Sequence, residues 1–385
     1  MMDAKKTAVL ITCFEFYEER MMAAGRQLAA LGYEPIYIES DFRHLQRERR
    51  TDHRNDLVFI PTKPYRRNLS FARINSHRIF AREALKKAET FDPDLLYVVV
   101  PPNSLVKRTA EYKARHSKVK VIFDILDLWP ETLPIKNVMH LFPCRCWKGL
   151  RDQYLSCAEH VFTECDLFHS VIDTSALEGK ISTLYLSRQM RPFSSEPSLP
   201  PHQMSLAYLG SINNIIDIPR ICNLVQALTV KIPVTVHVIG NGENKDVFLD
   251  GLKRAGADVK FYGELYDMEE KQRIFDQCHF GLNILKDTVC IGLTMKSIDY
   301  FECGLPVVNT ISGDTADFIC RYRVGIAWAG TAEETASQLL QSLAKECHSM
   351  RENCRKLFEE QFSHDCFEKK FYQGIQHILA GEKRS

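Results

Sequence analysis

Short apolar runs alternate with helix-like stretches along almost the whole chain, and this alternation restricts the fold more than any other feature. In the first half the predicted strands are residues 8–13, 35–39, 95–100, 119–125 and 161–164. The helices predicted between them are residues 15–31, 73–90, 104–115 and 147–158. Strands that alternate with helices are typical of βα units and a parallel sheet.

A second series of the same kind begins after residue 203. Its predicted strands are residues 206–209, 234–239, 259–262 and 280–284, and its predicted helices are residues 218–229, 244–255 and 267–277. Residues 188–203 are rich in Pro and Ser and have no apolar period, as expected of a linker. Because 385 residues exceed what one core usually fills, we predict two Rossmann-like domains, 1–187 and 204–362, followed by a terminal helix within 363–385.

The composition is that of an ordinary globular protein. The formal net charge is +1, with 45% hydrophobic and 26% charged residues, which gives no reason to expect nucleic-acid binding. Thirteen cysteines show no spacing typical of metal ligands, so we expect reduced thiols and no bound metal. The sequence contains no run of 18 apolar residues and no signal-peptide core. We therefore expect a cytoplasmic protein that does not cross a membrane.

One stretch of the second half joins a candidate anion-binding helix start to an acidic residue. Gly292, Leu293 and Thr294 follow a turn-like segment, and free backbone N–H groups at a helix start favour a phosphate group. Lys296 and Asp299 are three residues apart, on one helix face. From Gly292 to Asp299 a helix spans about 10 Å. We predict that this stretch holds a nucleotide, with Lys296 at the diphosphate and Asp299 at the ribose; a solvated lysine is the alternative.

This stretch resembles the donor-site signature of GT-B glycosyltransferases, especially the retaining family 4. The signature carries two glutamates eight positions apart, of which the second corresponds to Asp299 and the first to Ile291. Asp287 and Thr288 are candidates to replace the missing acid, and Glu302 is the alternative ribose ligand. The resemblance implies a GT-B fold, in which two Rossmann-like domains face each other across a cleft and a terminal helix crosses back to the first domain. It also implies a nucleotide-sugar donor, no metal or other cofactor and, within family 4, a retained anomeric configuration.

Three glycine-containing turns follow predicted strands of the second series. Gly210 and Ser211 come after the first strand, where GT-B enzymes place a loop under the donor; a tight turn is the alternative interpretation. Gly240 belongs to a turn for which a structural role is favoured, because the spacing of a dinucleotide fingerprint is absent. Gly263 lies in the segment whose backbone contacts the base in GT-B enzymes. The resemblance thus assigns Gly210, Ser211 and Gly263 to the nucleotide.

The most specific pattern of the first half is FDILDLWPE at residues 123–131. It resembles a segment of GT-B transferases that build bacterial surface polysaccharides. Asp127 falls at the carboxyl end of a predicted strand, where an acid can accept a hydroxyl proton or stabilise a cationic sugar; helix capping is the alternative. Trp129 is placed to stack on a sugar ring. By the same resemblance, Glu131 and Asn103 belong to the acceptor side.

Positive charge is concentrated between Arg43 and Arg82. This basic segment contains eleven Lys or Arg residues and three acids, interleaved with aromatic residues. Two interpretations are open. The segment contacts an anionic membrane surface or the diphosphate of a lipid-linked acceptor, or it is a solvated surface with ordinary ion pairs.

Together these features predict a hexosyltransferase-type glycosyltransferase (EC 2.4). It would move a sugar from a UDP- or GDP-sugar to a hydroxyl of a glycan or a polyprenyl-diphosphate-linked acceptor. The implied setting is synthesis of capsule, O-antigen or exopolysaccharide at the inner face of the cell membrane. Two alternatives stay open: an inert GT-B subunit that binds a partner transferase, motivated by Ile291, and a sugar-nucleotide epimerase.

Overall fold

The computed structural model describes residues 6–50, 57–67, 70–133, 141–191, 197, 199 and 202–382. The chain divides into two compact units. Unit 1 contains the described residues up to Ser187 together with those from Phe367 onward, and unit 2 contains those from Arg188 to Cys366.

Unit 1 is built around a seven-stranded sheet in which all neighbouring strands are parallel. The strands of unit 1 are β1 (Lys6–Thr12), β2 (Tyr33–Ser40), β3 (Phe42–Arg43), β4 (Glu48–Arg49), β5 (Leu57–Ile60), β6 (Leu95–Val100), β7 (Lys120–Ile125), β8 (His160–Thr163) and β9 (Ile181–Thr183). The sheet order is β5-β2-β1-β6-β7-β8-β9, while β3 and β4 form a separate antiparallel hairpin. Its helices are α1 (Glu18–Ala30), α2 (Phe71–Glu89), α3 (Asn103–Arg115), α4 (Phe142–Asp152) and α5 (Leu167–Val171).

Unit 2 contains a six-stranded sheet that is also parallel throughout, in the order β12-β11-β10-β13-β14-β15. Its strands are β10 (Met204–Leu209), β11 (Val234–Ile239), β12 (Asp258–Gly263), β13 (Phe280–Asn283), β14 (Val307–Asn309) and β15 (Gly325–Ala327). Its helices are α6 (Ile218–Thr229), α7 (Lys245–Arg254), α8 (Met268–Phe275), α9 (Met295–Glu302), α10 (Asp314–Tyr322), α11 (Ala332–Lys345) and α12 (Cys347–Phe362).

The apolar runs become strands because a parallel sheet covered by helices buries both faces of its strands. All six residues of β6 and all six of β10 are buried. Local capping fixes helix starts: Ser70 and Asp217 each accept a hydrogen bond from the backbone N–H three residues later, at the first turns of α2 and α6. Since parallel strands end at the same edge of a sheet, the loops at that edge carry the candidate site residues.

The last helix, α13 (His364–Glu382), returns the chain to unit 1. Its apolar face lies in the core of unit 1, where the contributing side chains are Phe367, Phe371, Ile375 and Ile378. Gly374 lies against Phe162 so closely that an added Cβ would come within 2.5 Å of that ring. In the described part of the chain, no helix has the length and apolarity that crossing a bilayer requires.

Several predicted elements agree with the structure, and some differ from it. The predictions 95–100, 218–229 and 234–239 coincide with β6, α6 and β11. The predicted helix 147–158 is wrong, because α4 begins at Phe142, with Pro143 in its first turn, and ends at Asp152. The short outer strands β5 and β9 were not predicted, since three or four residues give too little alternating pattern.

Candidate functional site

The carboxyl ends of three neighbouring strands in unit 2 form a platform of backbone groups. Gly210 follows β10 and donates its N–H to Ile239 at 2.9 Å, while Gly240 follows β11 and donates to Gly263 at 2.7 Å. Gly240 has φ +137°, and a Cβ there would collide with the carbonyl oxygen of Gly210. Only glycine allows this approach, so the structural role predicted for the Gly240 turn fits, and Gly240 contacts the ends of both neighbouring strands, at Gly210 and at Gly263.

Lys296 lies directly against the loop after β10. Its Nζ is 4.6 Å from the ring centroid of Tyr208, and its Cε would be 3.9 Å from a Cβ on Gly210. Ser211 is exposed in the same loop, where its carbonyl accepts a hydrogen bond from Tyr208. Burial lowers the pKa of Lys296 to about 8, and no carboxylate among the described residues offsets that effect. An ammonium group without a counter-ion at the strand ends is suited to an anionic ligand.

The helix after the turn begins later than predicted. We expected free N–H groups at Gly292, but α9 begins at Met295, with Thr294 as its N-cap. The carbonyl of Gly292 instead accepts hydrogen bonds from the backbone N–H and the hydroxyl of Thr315, both at 2.9 Å. Gly292 and Asp299 therefore do not lie on one helix, and the predicted 10 Å spacing between them does not apply.

A chain of polar side chains that was not predicted supports the start of α9. The Thr294 hydroxyl accepts a hydrogen bond from the backbone N–H of Ser297 at 3.2 Å and donates to Asn283 Oδ1 at 3.0 Å. The amide of Asn283 donates to Asn309 Oδ1 at 2.8 Å. Leu293 beside this chain is buried. These contacts tie α9 to the ends of β13 and β14, and so position Lys296.

The two acids proposed as ribose ligands lie one turn apart on α9. Asp299 is partly exposed; burial raises its pKa, and the nearby positive charges of Arg188, Lys271 and Arg191 lower it in part. Glu302 is buried, and its carboxylate lies 3.5 Å from Arg191 Nε. Because Asp299 is the more accessible of the two, its position favours Asp299 over Glu302 as a ligand-binding side chain.

The residues near the missing glutamate have other partners. Ile291 is partly buried and packs against the core of unit 2. Asp287 accepts two hydrogen bonds from Arg220, both at 2.9 Å, while Thr288 is exposed. Asp287 therefore balances the charge of Arg220, in the first turn of α6.

In unit 1, Asp127 lies just beyond the end of β7 and both of its carboxylate oxygens are held. The indole N–H of Trp129 donates to Oδ2, and the Thr132 hydroxyl donates to Oδ1 at 2.9 Å. Burial raises the pKa of Asp127, and these two hydrogen bonds lower it in part. Asp124, in contrast, is fully buried and pairs with Arg20 at 2.6 Å, which is a structural role.

Trp129 is itself fixed from two sides. The guanidinium of Arg73 lies 4.2 Å from the centroid of a Trp129 ring, and Trp147 meets Trp129 edge-on at 5.6 Å. Trp129 remains partly exposed. In the sequence Arg73 was counted only as one of many charges in the basic segment, so its contact with Trp129 was not predicted.

Asn103 and Glu131 face inward. Asn103 is fully buried, and its amide donates to the carbonyl oxygens of Trp129 at 2.7 Å and Trp147 at 3.0 Å. Glu131 is buried and accepts hydrogen bonds from Arg151 at 2.6 and 3.3 Å. Although burial alone would raise the pKa of Glu131, the Arg151 pairing brings it below its ordinary value. In this geometry both residues hold the loop that carries Trp129.

Glu131→Gln is expected to lower the free energy of unfolding by about 2–3 kcal/mol, because Arg151, which is fully buried, would lose its best acceptor. Urea unfolding would measure this loss. The matched control is Glu111→Gln, which breaks an exposed pair with Arg108 and should change stability by less than about 1 kcal/mol. A variant of Glu131 with unchanged stability and lost activity would instead support a direct acceptor contact.

The basic segment does not form one exposed surface. Arg50 pairs with Glu39 at 3.0 Å and lies over Phe59, and Arg73 is buried. Arg54 lies outside the described residues. The exposed cations of the segment are Lys63, Arg47, Arg49, Arg66, Arg67, Arg78 and Arg82. Among the described residues, no group of three or more His, Cys, Asp or Glu side chains could hold a metal ion.

Comparison with known proteins relates part of the chain to a sequence family and the whole chain to a known fold. Residues 204–345, less than half of the chain, match the family model described as Glycosyl transferases group 1. No curated protein sequence matches the chain. Sucrose-phosphate synthase from Thermosynechococcus elongatus has a TM-score of 0.70 and 12% identity, covering 98% of this chain and 100% of that one.

Two further solved structures share the fold. The lipopolysaccharide outer core galactosyltransferase WaaB, in its apo form, has a TM-score of 0.68 and 13% identity, with 97% of this chain and 99% of that chain covered. The Anabaena protein HepE, in complex with UDP and glucose, has a TM-score of 0.63 and 11% identity, with 96% and 99% covered. The predicted fold class, GT-B, is confirmed. Within it, unit 2 carries the sequence signature of group 1 glycosyltransferases.

Proposed function

We propose that this protein transfers a sugar from a nucleotide-sugar donor to a hydroxyl of a glycan or lipid-linked acceptor. The observation that carries the proposal is Lys296, a half-buried ammonium group between Tyr208 and the Gly210 loop that no described carboxylate neutralises. The group 1 match over residues 204–345 supports the same assignment. A cation held in this way stabilises the negative charge that develops on a departing nucleoside diphosphate.

The two units divide the chemical work in this proposal. In unit 2, Lys296 and the backbone of the strand-end turns bind the diphosphate, and Asp299 binds the ribose. In unit 1, Asp127 accepts the proton of the acceptor hydroxyl or stabilises the cationic sugar. Since Lys296 supplies positive charge at the leaving group, we propose that transfer needs no metal ion. The stereochemical outcome follows family 4 in this proposal, with retention.

The nucleotide is the first point to test. UDP or GDP is proposed as the carrier, and HepE has been solved with UDP and glucose. Thermal shift of the purified protein with UDP, GDP, CMP and their sugar conjugates, with and without EDTA, measures the preference directly. A nucleotide at 100 times its dissociation constant stabilises the folded state by about 2.7 kcal/mol. No shift with any nucleotide would favour the inert subunit, and interconversion of donors without acceptor would favour an epimerase.

For the acceptor we propose a polyprenyl-diphosphate-linked glycan at the inner face of the cell membrane, as in surface polysaccharide synthesis. The supporting feature is an apolar rim in unit 1, formed by exposed side chains that follow the carboxyl ends of sheet strands: Phe16 after β1, Leu45 in the β3–β4 hairpin after β2, Phe71 at the start of α2 after β5, and Phe142 at the start of α4 after β7. These segments all follow strands of one parallel sheet and so lie at the same edge of it. Exposed Arg47, Arg66 and Arg67 accompany the rim, and apolar side chains with cations are typical of contact with anionic lipid.

Replacing both Phe71 and Phe142 by Ser is expected to weaken binding to vesicles that contain phosphatidylglycerol by about tenfold or more, since each Phe would lose burial in lipid. Vesicle sedimentation measures the change, and wild-type binding should fall as salt is raised. Val230→Ser, at an exposed apolar position of unit 2, is the matched control. Equal binding by the double variant and the wild type would contradict membrane contact through the rim.

A further inference from the structure

Arg73 is a cation whose place in the structure is set by its helix. It lies in the first turn of α2, where its backbone N–H donates to the N-cap Ser70 at 3.2 Å. The side chain is only 4% exposed. A charged side chain is costly to bury unless its surroundings repay that cost, so the contacts of Arg73 indicate what it does.

Those contacts are with aromatic rings, and Arg73 also makes a hydrogen bond with the Tyr65 side chain. The guanidinium lies 4.2 Å from the centroid of a Trp129 ring and 5.8 Å from the ring centroids of both Phe14 and Tyr65. A planar guanidinium on an indole face is attracted by the ring and restricts its orientation. Arg73 therefore fixes the plane of Trp129 from the side of α2.

The orientation of Trp129 in turn fixes Asp127. The indole N–H donates to one carboxylate oxygen of Asp127, and Thr132 donates to the other. Burial raises the pKa of Asp127, while the indole hydrogen bond and the positive charge of Arg73 each lower it. Arg73 thus acts on Asp127 in two ways, through its charge and through the indole.

We propose that Arg73 is a positioning residue that orients Asp127 by stacking on Trp129 and places a positive charge near its carboxylate. The importance of this role for turnover rests on the proposed function, but the physical link between the three side chains does not. Arg73 is too deeply buried for a substrate to reach most of its surface, so it acts through Trp129.

Other titratable groups lie near this trio and have to be separated from it. Those that interact with Arg73 or Asp127 are Cys13, Tyr17, Tyr65, His44 and His77, and Glu15 binds the backbone at His44. Burial lowers the pKa of His44 to about 4, holds the pKa of His77 well below its ordinary value, and raises the pKa of the Cys and Tyr groups. The control is Asp127→Asn, which must remove any signal assigned to Asp127.

The first experiment does not depend on activity. In a variant with Trp147→Phe and Trp328→Phe, Trp129 is the one remaining tryptophan, and its fluorescence should titrate with Asp127 because the indole donates to that carboxylate. Arg73→Met should move the midpoint upward by ~0.5–1 pH unit, since a carboxylate that loses a nearby cation is harder to ionise. Arg78→Met, at an exposed position of the same helix, should leave it in place.

Arg73→Lys separates charge from stacking. It should keep the midpoint within about 0.3 pH unit of the wild type, because the positive charge remains, and lower kcat about tenfold, because an ammonium does not hold the indole plane. If circular dichroism shows that Arg73→Met does not fold, Arg73→Lys and Trp129→Phe still test the link. Because both substitutions act through the same contact, the double variant should lose less kcat than the product of the two single losses.

The outcomes are distinct. An unchanged midpoint in Arg73→Met, or multiplicative effects of Arg73→Lys and Trp129→Phe, overturns the role of Arg73. If no donor is consumed by the wild type, the proposed function fails, yet the fluorescence titration still decides whether Arg73 controls Asp127. An upward shift in Arg73→Met with none in Arg78→Met supports the inference.

Discussion

Replacing Asp127 by Asn is expected to lower kcat for sugar transfer by about a thousandfold and to leave the affinity for UDP unchanged. General acid–base groups contribute about 10²- to 10⁴-fold to rate, and Asn keeps the shape of Asp without its basic oxygens. Asp127 also lies in a different unit from the proposed nucleotide site. Steady-state kinetics with a titration of UDP binding measures both quantities in one preparation.

Asp173→Asn is the matched control for this substitution, because Asp173 is an exposed acid of the same unit that binds Ser175. It should keep wild-type kinetics. A parallel loss of UDP affinity in Asp127→Asn would contradict the division of roles. Full activity in Asp127→Asn would show that Asp127 has no role in catalysis and serves only through its contacts with Trp129 and Thr132.

Replacing Lys296 by Met is expected to weaken UDP binding by about a hundredfold, which corresponds to about 2.7 kcal/mol. This is the range of a charge-assisted hydrogen bond that loses its donor, and Met retains the apolar contact with Tyr208. Lys253→Met, at an exposed position of α7, should bind UDP as the wild type does. Isothermal titration with UDP measures both variants.

The affinity for UDP should also depend on pH in a defined direction. Burial lowers the pKa of Lys296 to about 8, so the ammonium is present below that pH and is lost above it. UDP affinity is therefore expected to fall by up to about tenfold per pH unit as pH rises above the pKa, because one proton must then be taken up on binding. In Lys296→Met this slope should disappear. A wild-type affinity that is constant to high pH would show that the Lys296 charge is not used.

The fold class could be predicted from the sequence because the apolar runs that form its strands are local features of the chain. A run such as that of β6 is apolar at every position, and a parallel sheet is the setting in which such a strand is buried on both faces. The order of the strands depends on contacts between distant segments and was not predicted. The hairpin of β3 and β4 is local, but its strands of two residues each are too short to show an alternating pattern.

The candidate site shows the same limit. Lys296 and Asp127 could be proposed from the sequence because Lys296 lies near a predicted helix start and Asp127 at the end of a predicted strand. The burial of Asn103 and Glu131 could not be predicted. The partner of Glu131 is Arg151, which lies in a helix whose start was mispredicted. Likewise, that Arg73 meets Trp129 is a property of the folded unit and leaves no trace in charge counts.

The path of α13 bears on how the protein is made. Unit 1 is a discontinuous domain: its hydrophobic core is complete only when Phe367, Phe371 and Ile375 of the last helix have docked. While a ribosome is synthesising unit 2, the emerged first half of the chain must wait with part of its core uncovered, contrary to the usual order in which the N-terminal domain folds first. Residues 1–187 expressed alone should for the same reason aggregate, and supplying residues 363–385 as a separate peptide should rescue them.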